Sequence, residues 1–255
     1  MIKFITTISK EFKIIYYIYK MEGITLSNEL NRSTDFTIWL DTPIILESDK
    51  KYKAAVLSLF TYNSLPNITV DNNKFKYSDD KGKTWKRITF EKGAYEFKDI
   101  IAKIRREIQS TDIDIDYYKP TLQTILDISN EDYMVDFGIE NSIGSTFGFM
   151  NEKLSHGVHQ SPNIIDIEKV NSIRVHCDII TGIYVDSKRS NVIYKFTPRV
   201  SPGYKIIEEP WTLRYLPVVK SPEINSIRLW LTDQNNKPID LMGERIDIDI
   251  EIREY

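Results

Sequence analysis

The sequence predicts an all-β protein of the sandwich, barrel or jelly-roll kind, with a single amphipathic helix near 96–109. Three observations carry that prediction. The chain closes on Arg245-Ile246-Asp247-Ile248-Asp249-Ile250-Glu251-Ile252-Arg253, whose period of two puts four isoleucines on one face of a strand and the charges on the other. Short apolar runs separated by Asn, Asp, Gly and Pro recur from Phe36 onward, at the spacing of packed antiparallel strands. In the second half, Pro198, Pro202, Pro210, Pro217 and Pro222 argue against helices.

Taken in order, Phe36-Thr37-Ile38-Trp39-Leu40 alternates and is broken by Pro43. Tyr52 to Phe60 is a more continuous apolar run, suited to a central strand. Asn63 to Asn67 and Asp71 to Asn73 are turn clusters flanking short strands at Ile68/Val70 and Phe75/Tyr77, and a hairpin follows from Lys74 to Phe90. Phe97, Ile100, Ile101, Ile104 and Ile108 then form one helical stripe, with Lys98, Asp99, Lys103, Arg105 and Arg106 elsewhere on the helix surface. Strands resume at Leu122–Ile128 and Tyr133–Ile139. Gly144, Gly148, Gly157 and Pro162 mark a loop and lobe boundary. The second half opens on Ile173-Arg174-Val175-His176-Cys177, continues through strands at Val192–Phe196, Tyr204–Ile207, Leu213–Val219 and Ile227–Leu231, and turns at Asp233–Pro238 into a closing hairpin through Gly243. The expected organisation is an arm or extension over 1–20, a first β lobe over 21–150, a linker loop over 151–169 and a second β lobe over 170–255.

The chain has 255 residues, 41% hydrophobic and 28% charged, with a net charge of −3, an ordinary balance for a folded protein with a sizeable core. Lysines and arginines are scattered, which sets aside nucleic-acid binding as the main activity, since that needs a basic stripe against phosphates. Cys177 is the single cysteine, so no intrachain disulfide forms and an intracellular folding site is the simpler expectation. Met1 to Lys20 is basic and apolar. Its run Ile14-Ile15-Tyr16-Tyr17-Ile18-Tyr19 is too short to span a bilayer and lacks the features of a secretory signal. It reads either as an arm that docks on a neighbour or as sequence upstream of a start at Met21.

Candidate chemistry is sparse. Ser78, Asp80, Gly82, Thr84 and Trp85 match the Asp-box pattern, in which Ser and Asp side chains bond turn amides, Gly takes a strained backbone position and Trp packs beneath. The motif stands once, where a propeller enzyme would repeat it per blade, so a hairpin staple is the expected role. His156 and His159 are loosely spaced in a loop and short of the three or four ligands zinc requires. His176, Cys177 and Asp178 are strand neighbours whose side chains alternate between faces and cannot form a relay; Cys177 is expected as a small core side chain. Asp112, Asp114 and Asp116, like Asp247, Asp249 and Glu251, could in principle draw calcium, but a solvated strand face with cross-strand partners has the same pattern. No catalytic residue, cofactor site or metal site is expected. No phosphate loop, dinucleotide fingerprint, nucleophile elbow or His-Glu-x-x-His motif is present.

An ordered series of stretches carries a family resemblance. Tyr62-Asn63-Ser64-Leu65-Pro66-Asn67-Ile68 leads through Asn72-Asn73-Lys74-Phe75, Gly82-Lys83-Thr84-Trp85 and Gly93-Ala94-Tyr95 to Ser142-Ile143-Gly144 and Phe147-Gly148-Phe149. Then come Val175-His176-Cys177-Asp178-Ile179-Ile180, Phe196-Thr197-Pro198-Arg199-Val200-Ser201-Pro202-Gly203-Tyr204, Trp230-Leu231-Thr232-Asp233-Gln234 and Gly243-Glu244. Over about residues 22–255 the chain resembles capsid-like proteins of Polinton (Maverick) elements and adintoviruses. That resemblance implies a jelly-roll β-sandwich, in two jelly-roll-like lobes. It implies a structural virion protein without enzymatic activity, which self-assembles into an icosahedral capsid within a host cell. The length points to the penton-type minor capsid protein; a major-capsid-like compact double jelly roll stays open.

The partners so implied are copies of the same chain, as a pentamer before a trimer, and other capsid proteins, with no direct nucleic-acid recognition and no membrane. Asn63, Ser64, Leu65, Pro66 and Asn67, with Pro198, Pro202, Gly203 and Tyr204, are the assembly-contact candidates. Two other classes remain: a cellular β-sandwich module binding carbohydrate or protein through an exposed aromatic patch that includes Trp39, Trp211 or Trp230, and a hydrolase with clustered, pKa-shifted acids and bases in one pocket.

Overall fold

The computed structural model describes residues 21–181, 183–185, 187–219 and 222–255; the expected arm over 1–20 lies outside them. In chain order the strands are β1 (Met21–Ser27), β2 (Asp35–Ile45), β3 (Tyr52–Tyr62), β4 (Lys74–Ser78) and β5 (Lys86–Thr89). After helix α1 (Phe97–Ile108) come β6 (Ile113–Tyr118), β7 (Gln123–Ile128), β8 (Met134–Asp136), a 3-10 turn (Ile143–Phe147), β9 (Lys153–Leu154) and β10 (Gly157–Ile164). The chain ends with β11 (Ile173–Cys177), β12 (Ile183–Val185), β13 (Lys188–Ser190), β14 (Val192–Phe196), β15 (Lys205–Glu208), β16 (Leu216–Pro217), β17 (Glu223–Thr232) and β18 (Asp247–Glu254). No helix among the described residues is long and apolar enough to cross a membrane.

The chain divides into two compact units, and the division is not the sequential one expected at 150/170. Unit 1 combines the chain up to Asn63 with Val170–Val200 and Tyr204–Tyr255, while unit 2 is Ser64–Lys169 with Ser201–Gly203. The expected linker over 151–169 is structured: β9 pairs with β8, and β10 pairs with β7.

Unit 1 is a jelly roll. One sheet has the order β1-β18-β3-β15 and the other β14-β11-β17-β2. These pairings are nested: β1 joins β18, β2 joins β17, β3 joins β15 and β11 joins β14, all antiparallel. A ribbon folded back once and rolled into two facing sheets has this pattern. Leu26, Leu59, Ile248, Ile250 and Ile252 from one sheet and Phe36, Val175, Cys177, Ile227, Leu229 and Leu231 from the other are all buried. Each such aliphatic side chain contributes about 1.5–3 kcal/mol on leaving water.

The alternation of β18 therefore does what its period predicts, with Ile248, Ile250 and Ile252 inward. Asp249 pairs with Ser58 and Ile250 with Val56, so Leu57 is an extra, bulged residue that bends the strand. The expected closing hairpin does not form. Asp233 does close a turn, its Oδ1 accepting from the amides of Asn235 and Lys237 at 2.7 and 2.8 Å. The chain then leaves for the opposite sheet, because β17 pairs with β11 and β2 and β18 pairs with β1 and β3.

Unit 2 has short antiparallel sheets without that nesting, β4 pairing with β5 and β8, and β7 with β6 and β10, so among the described residues the jelly roll is realised once. Sheet β5-β4-β8-β9, sheet β10-β7-β6 and α1 surround a core that includes Phe75, Phe90, Ile100, Ile104, Leu126, Phe137 and Phe147. The helix spans the residues its stripe predicts. The Glu96 amide donates to Asp99 at 3.1 Å at its start, and Gln109 takes a left-handed conformation at its end, which caps the last turn. The expected strand at Ile68/Val70 reduces to one bridge between Ile68 and Gly93. That at Leu213–Val219 shortens to β16 and a bridge between Val218 and Ile180.

Leu59 lies on β3, between β18 and β15, with no exposed surface. Leu59→Ala is expected to cost about 2–5 kcal/mol, the range for a cavity in a packed core, measured by chemical denaturation. Exposed Ile207→Ala on the neighbouring strand should change stability by less than about 1 kcal/mol; equal losses would contradict this packing.

Candidate functional site

The turn from Ser78 to Trp85 joins β4 to β5. The Ser78 hydroxyl donates to Asp80 Oδ1 at 2.7 Å and accepts from the Gly82 amide at 2.9 Å. Thr84 donates twice to the Asp80 carboxylate, its amide at 2.8 Å to Oδ1 and its hydroxyl at 2.5 Å to Oδ2. These bonds favour the charged carboxylate, and those from Thr84 chiefly hold the Asp80 pKa at about 2. Gly82 has φ +79°, and a Cβ there would stand 3.2 Å from Met134 Sδ and 3.6 Å from the Trp85 ring, so glycine serves both backbone and space. Lys76 lies over the Trp85 ring at 4.6 Å and pairs with buried Asp136 at 3.0 Å. The five motif residues are thus brought together as a hairpin staple.

The other reactive side chains are dispersed. His156 Nδ1 is 2.8 Å from the Ile128 carbonyl, and His159 Nε2 is 2.7 Å from the Ser155 carbonyl. His176 stacks on Trp230, with ring centroids 4.9 Å apart, and its Nε2 is 2.8 Å from Thr232 Oγ1. Burial, then the charge of Arg174, lowers its pKa to about 4. Cys177 points into the sandwich with its thiol pushed up to about 12 by burial, an unreactive state. Among the described residues no group of three or more His, Cys, Asp or Glu could hold a metal ion. The acidic rows have other partners: Thr25 and Ser58 donate to the Asp249 carboxylate at 2.6 and 2.5 Å, Arg245 holds Asp247, and Arg105 pairs with Asp114.

The assembly-contact candidates separate into two kinds. Asn63, Ser64 and Asn67 are buried. Asn63 donates from Nδ2 to the Val200 carbonyl at 2.6 Å and from its amide to the Tyr204 carbonyl at 2.8 Å, tying the segment before β15 to the end of β3. Asn67 donates to the Tyr95 carbonyl at 2.7 Å and accepts from the Tyr95 amide at 2.9 Å. Leu65 and Pro66 are half-buried. Pro198 and Pro202 are also half-buried, whereas Gly203 and Tyr204 are exposed and lead into β15, an edge strand of the jelly roll.

That edge carries exposed apolar side chains. Tyr62, Tyr204 and Ile207 are exposed, and Trp211, just beyond β15, is wholly so. Glu208 faces Leu59 and Leu216 faces Ala54, so residues 209–215 bulge out opposite only 55–58. The excursion is anchored by Tyr215, whose hydroxyl donates to Glu251 at 2.9 Å beneath Arg253, 3.5 Å from the Tyr215 ring. Glu251 is buried by this cover, although its strand face otherwise carries solvated charge. Ile207 could have been found from sequence, because Ile206-Ile207 on one strand must put one isoleucine outward; the bulge at Trp211 has no periodic signal.

The three aromatic candidates of a binding module do not gather. Trp39 stands on β2 at one side of the sandwich, and Trp211 follows β15 at the other, where Tyr194 of β14 bonds Glu208 of β15 at 2.8 Å. Trp230 is engaged by His176 and by Arg228, 5.1 Å from its ring.

No protein-family model and no curated protein matches the chain. Among solved structures it is similar to the crystal structure of the mavirus penton protein. That match has TM-score 0.52 at 13% identity and covers 93% of this chain and 100% of that one. A chain of the Sputnik virophage, solved by cryo-electron microscopy, is matched with TM-score 0.44 at 13% identity, over 92% of this chain and 98% of that one. The likeness to the mavirus protein is one of fold: an all-β, jelly-roll architecture.

Asp80→Asn should lower the melting temperature at neutral pH by loosening the turn. Because the folded-state pKa lies below the ordinary carboxylate value of 3.8, the stabilisation is present above that value and vanishes as pH falls through about 2. Wild type and variant should therefore converge in acid. For His176 the sign is the same but the window differs. Between pH 6.5 and about 4 the unfolded chain takes up a proton that the folded chain refuses, so stability falls on acidification. His176→Gln should flatten that part of the pH–stability profile; an unchanged slope in thermal melts would refute the assignment.

Proposed function

We propose that the chain is a structural virion protein of the penton-type minor capsid class, acting by self-assembly into a cyclic homo-oligomer, with five copies favoured, at capsid vertices. The observation that carries this reading is the end-to-end match to the mavirus penton protein, covering 93% of this chain. The ordered sequence series supports assignment to the Polinton and adintovirus kind. The division into units favours the minor over the major role. A double jelly roll needs two nested sets of strands, and among the described residues only unit 1 has one.

The reading is physically coherent. Rings form from heterologous contacts, in which two different patches of each subunit meet, and the exposed Tyr62, Tyr204, Ile207 and Trp211 edge supplies one apolar patch of the kind found at interaction sites. Other capsid proteins are the further partners, and the protein works in the virion after assembly inside the host cell. Enzymatic activity, direct nucleic-acid recognition and membrane insertion have no part in it. The half-buried Pro198 and Pro202 and the exposed Gly203 and Tyr204 remain contact candidates beside this edge.

Size-exclusion chromatography with light scattering on the full chain, followed by negative-stain class averages, tests the proposal. Five-fold rings, alone or on adding the partner capsid protein, are expected, and Trp211→Asp should disperse them without changing the melting temperature. A trimer would move the protein to the major-capsid role. A strict monomer under both conditions would refute assembly.

A further inference from the structure

A second surface stands apart from the jelly-roll edge in sequence and chemistry. Unit 2 has an open groove of about 660 Å³. Phe149 lies against Phe137 in it, with rings stacked at 5.0 Å, and Met150 and Ile164 are each at least 60% exposed. The charged residues lining the groove are all acidic: Asp71, Glu140 and Asp166. Asp166 already pairs with Lys169. An apolar floor with unbalanced negative charge calls for an occupant that is apolar and basic.

Such a segment belongs to this chain. Residues 1–20 hold Lys3, Lys10, Lys13 and Lys20 against a single Glu11, and the run Ile14 to Tyr19 supplies branched and aromatic side chains. Fully extended, twenty residues reach roughly 65–70 Å, more than the width of a compact unit of this size, roughly 35–40 Å. The segment joins the jelly roll at β1, an edge strand, so its exit is not enclosed by neighbouring strands.

We infer that this groove receives the Met1–Lys20 segment of a neighbouring copy, so that each subunit straps the next. The inference rests on the assembly reading and names one of its contacts. Ile14 to Tyr19 anchor on Met150 and Ile164, and the lysines meet Asp71 and Glu140. The apolar contacts give most of the affinity, while the charges set direction and exclude other occupants.

Charge reversal and its rescue test this in the full chain, with subunit dissociation followed by analytical ultracentrifugation. Lys10→Glu, Lys13→Glu and Lys20→Glu together should raise the dissociation constant of the oligomer at least ten-fold. Asp71→Lys with Glu140→Lys should do the same. Asp71 and Glu140 are exposed, so reversing them should leave the melting temperature unchanged. Combining the two sets should restore assembly to within a few-fold of wild type. If wild type forms rings and neither reversal weakens them, or the combination fails to rescue, the strap is overturned while the assembly reading stands. If the reversals move only the melting temperature, the segment docks on its own chain and the strap is again overturned. A wild type that never associates overturns both readings.

Discussion

The pairing of the last strand between the first and the third is the constraint on which unit 1 depends. β18 bonds β1 along one side and β3 along the other, so this sheet is two separate pieces until residues 247–254 are in place. Everything inward on it, from Leu26 and Leu59 to the isoleucines, is buried only once that insertion has happened. Contacts of such sequence separation make folding slow compared with local hairpins, because the loop must close before the contacts can form. The cost of placing a whole unit between β3 and β11 is nonetheless small, since closure entropy grows only with the logarithm of loop length. Unit 2 offsets its own ordering with its own aromatic core, centred on Phe75, Phe137 and Phe147.

The same central strand organises the outer face. Asp249 is held by two hydroxyls from the strands on either side of it, and Glu251 by Tyr215. Hydroxyl donors supply hydrogen bonds without a counter-ion, and each Asp249 oxygen accepts one of them. Glu251 is the exception: one of its oxygens is buried without a partner. Covering it is the consequence of running residues 209–215 across the sheet, and that same excursion is what turns Trp211 outward. A local polar cost and an exposed aromatic side chain therefore share one cause.

Where one residue's neighbours along the chain decide its environment, the sequence could be read. The period of two in β18, β11 and β2, the stripe of α1 and the Ser78–Trp85 turn are all local, and all appear where their residues place them. What decides pairing partners is not local. β17 and β18 are joined by turn residues that would suit a hairpin equally well, yet each is claimed by a different sheet. The boundary between units was hidden for the same reason: the strands before Asn63 belong with those after Val170 through hydrogen bonds that leave no mark in composition. At the candidate site, Asn63 and Asn67 have the composition of an exposed turn, but their side-chain amides act as internal donors to Val200 and Tyr95. Polar residues that cap backbone carbonyls and polar residues that face water look alike until the carbonyls are located.

The open edge at β15 then has to be reconciled with the hazard that open edges present. The strand is short, Lys205–Glu208, and Pro202 and Pro210 stand on either side of it, with no amide hydrogen to offer an incoming strand. Backbone addition is therefore limited to a few residues, and the bulge that follows breaks the register beyond them. What remains available is side chain: Ile207, Tyr204, Tyr62 and Trp211 project from a backbone that discourages continued pairing. A surface of this kind favours contact by shape and apolar packing over continued strand-to-strand stacking. That distinction separates an edge that offers side chains from one that offers backbone, and it follows from where the prolines fall.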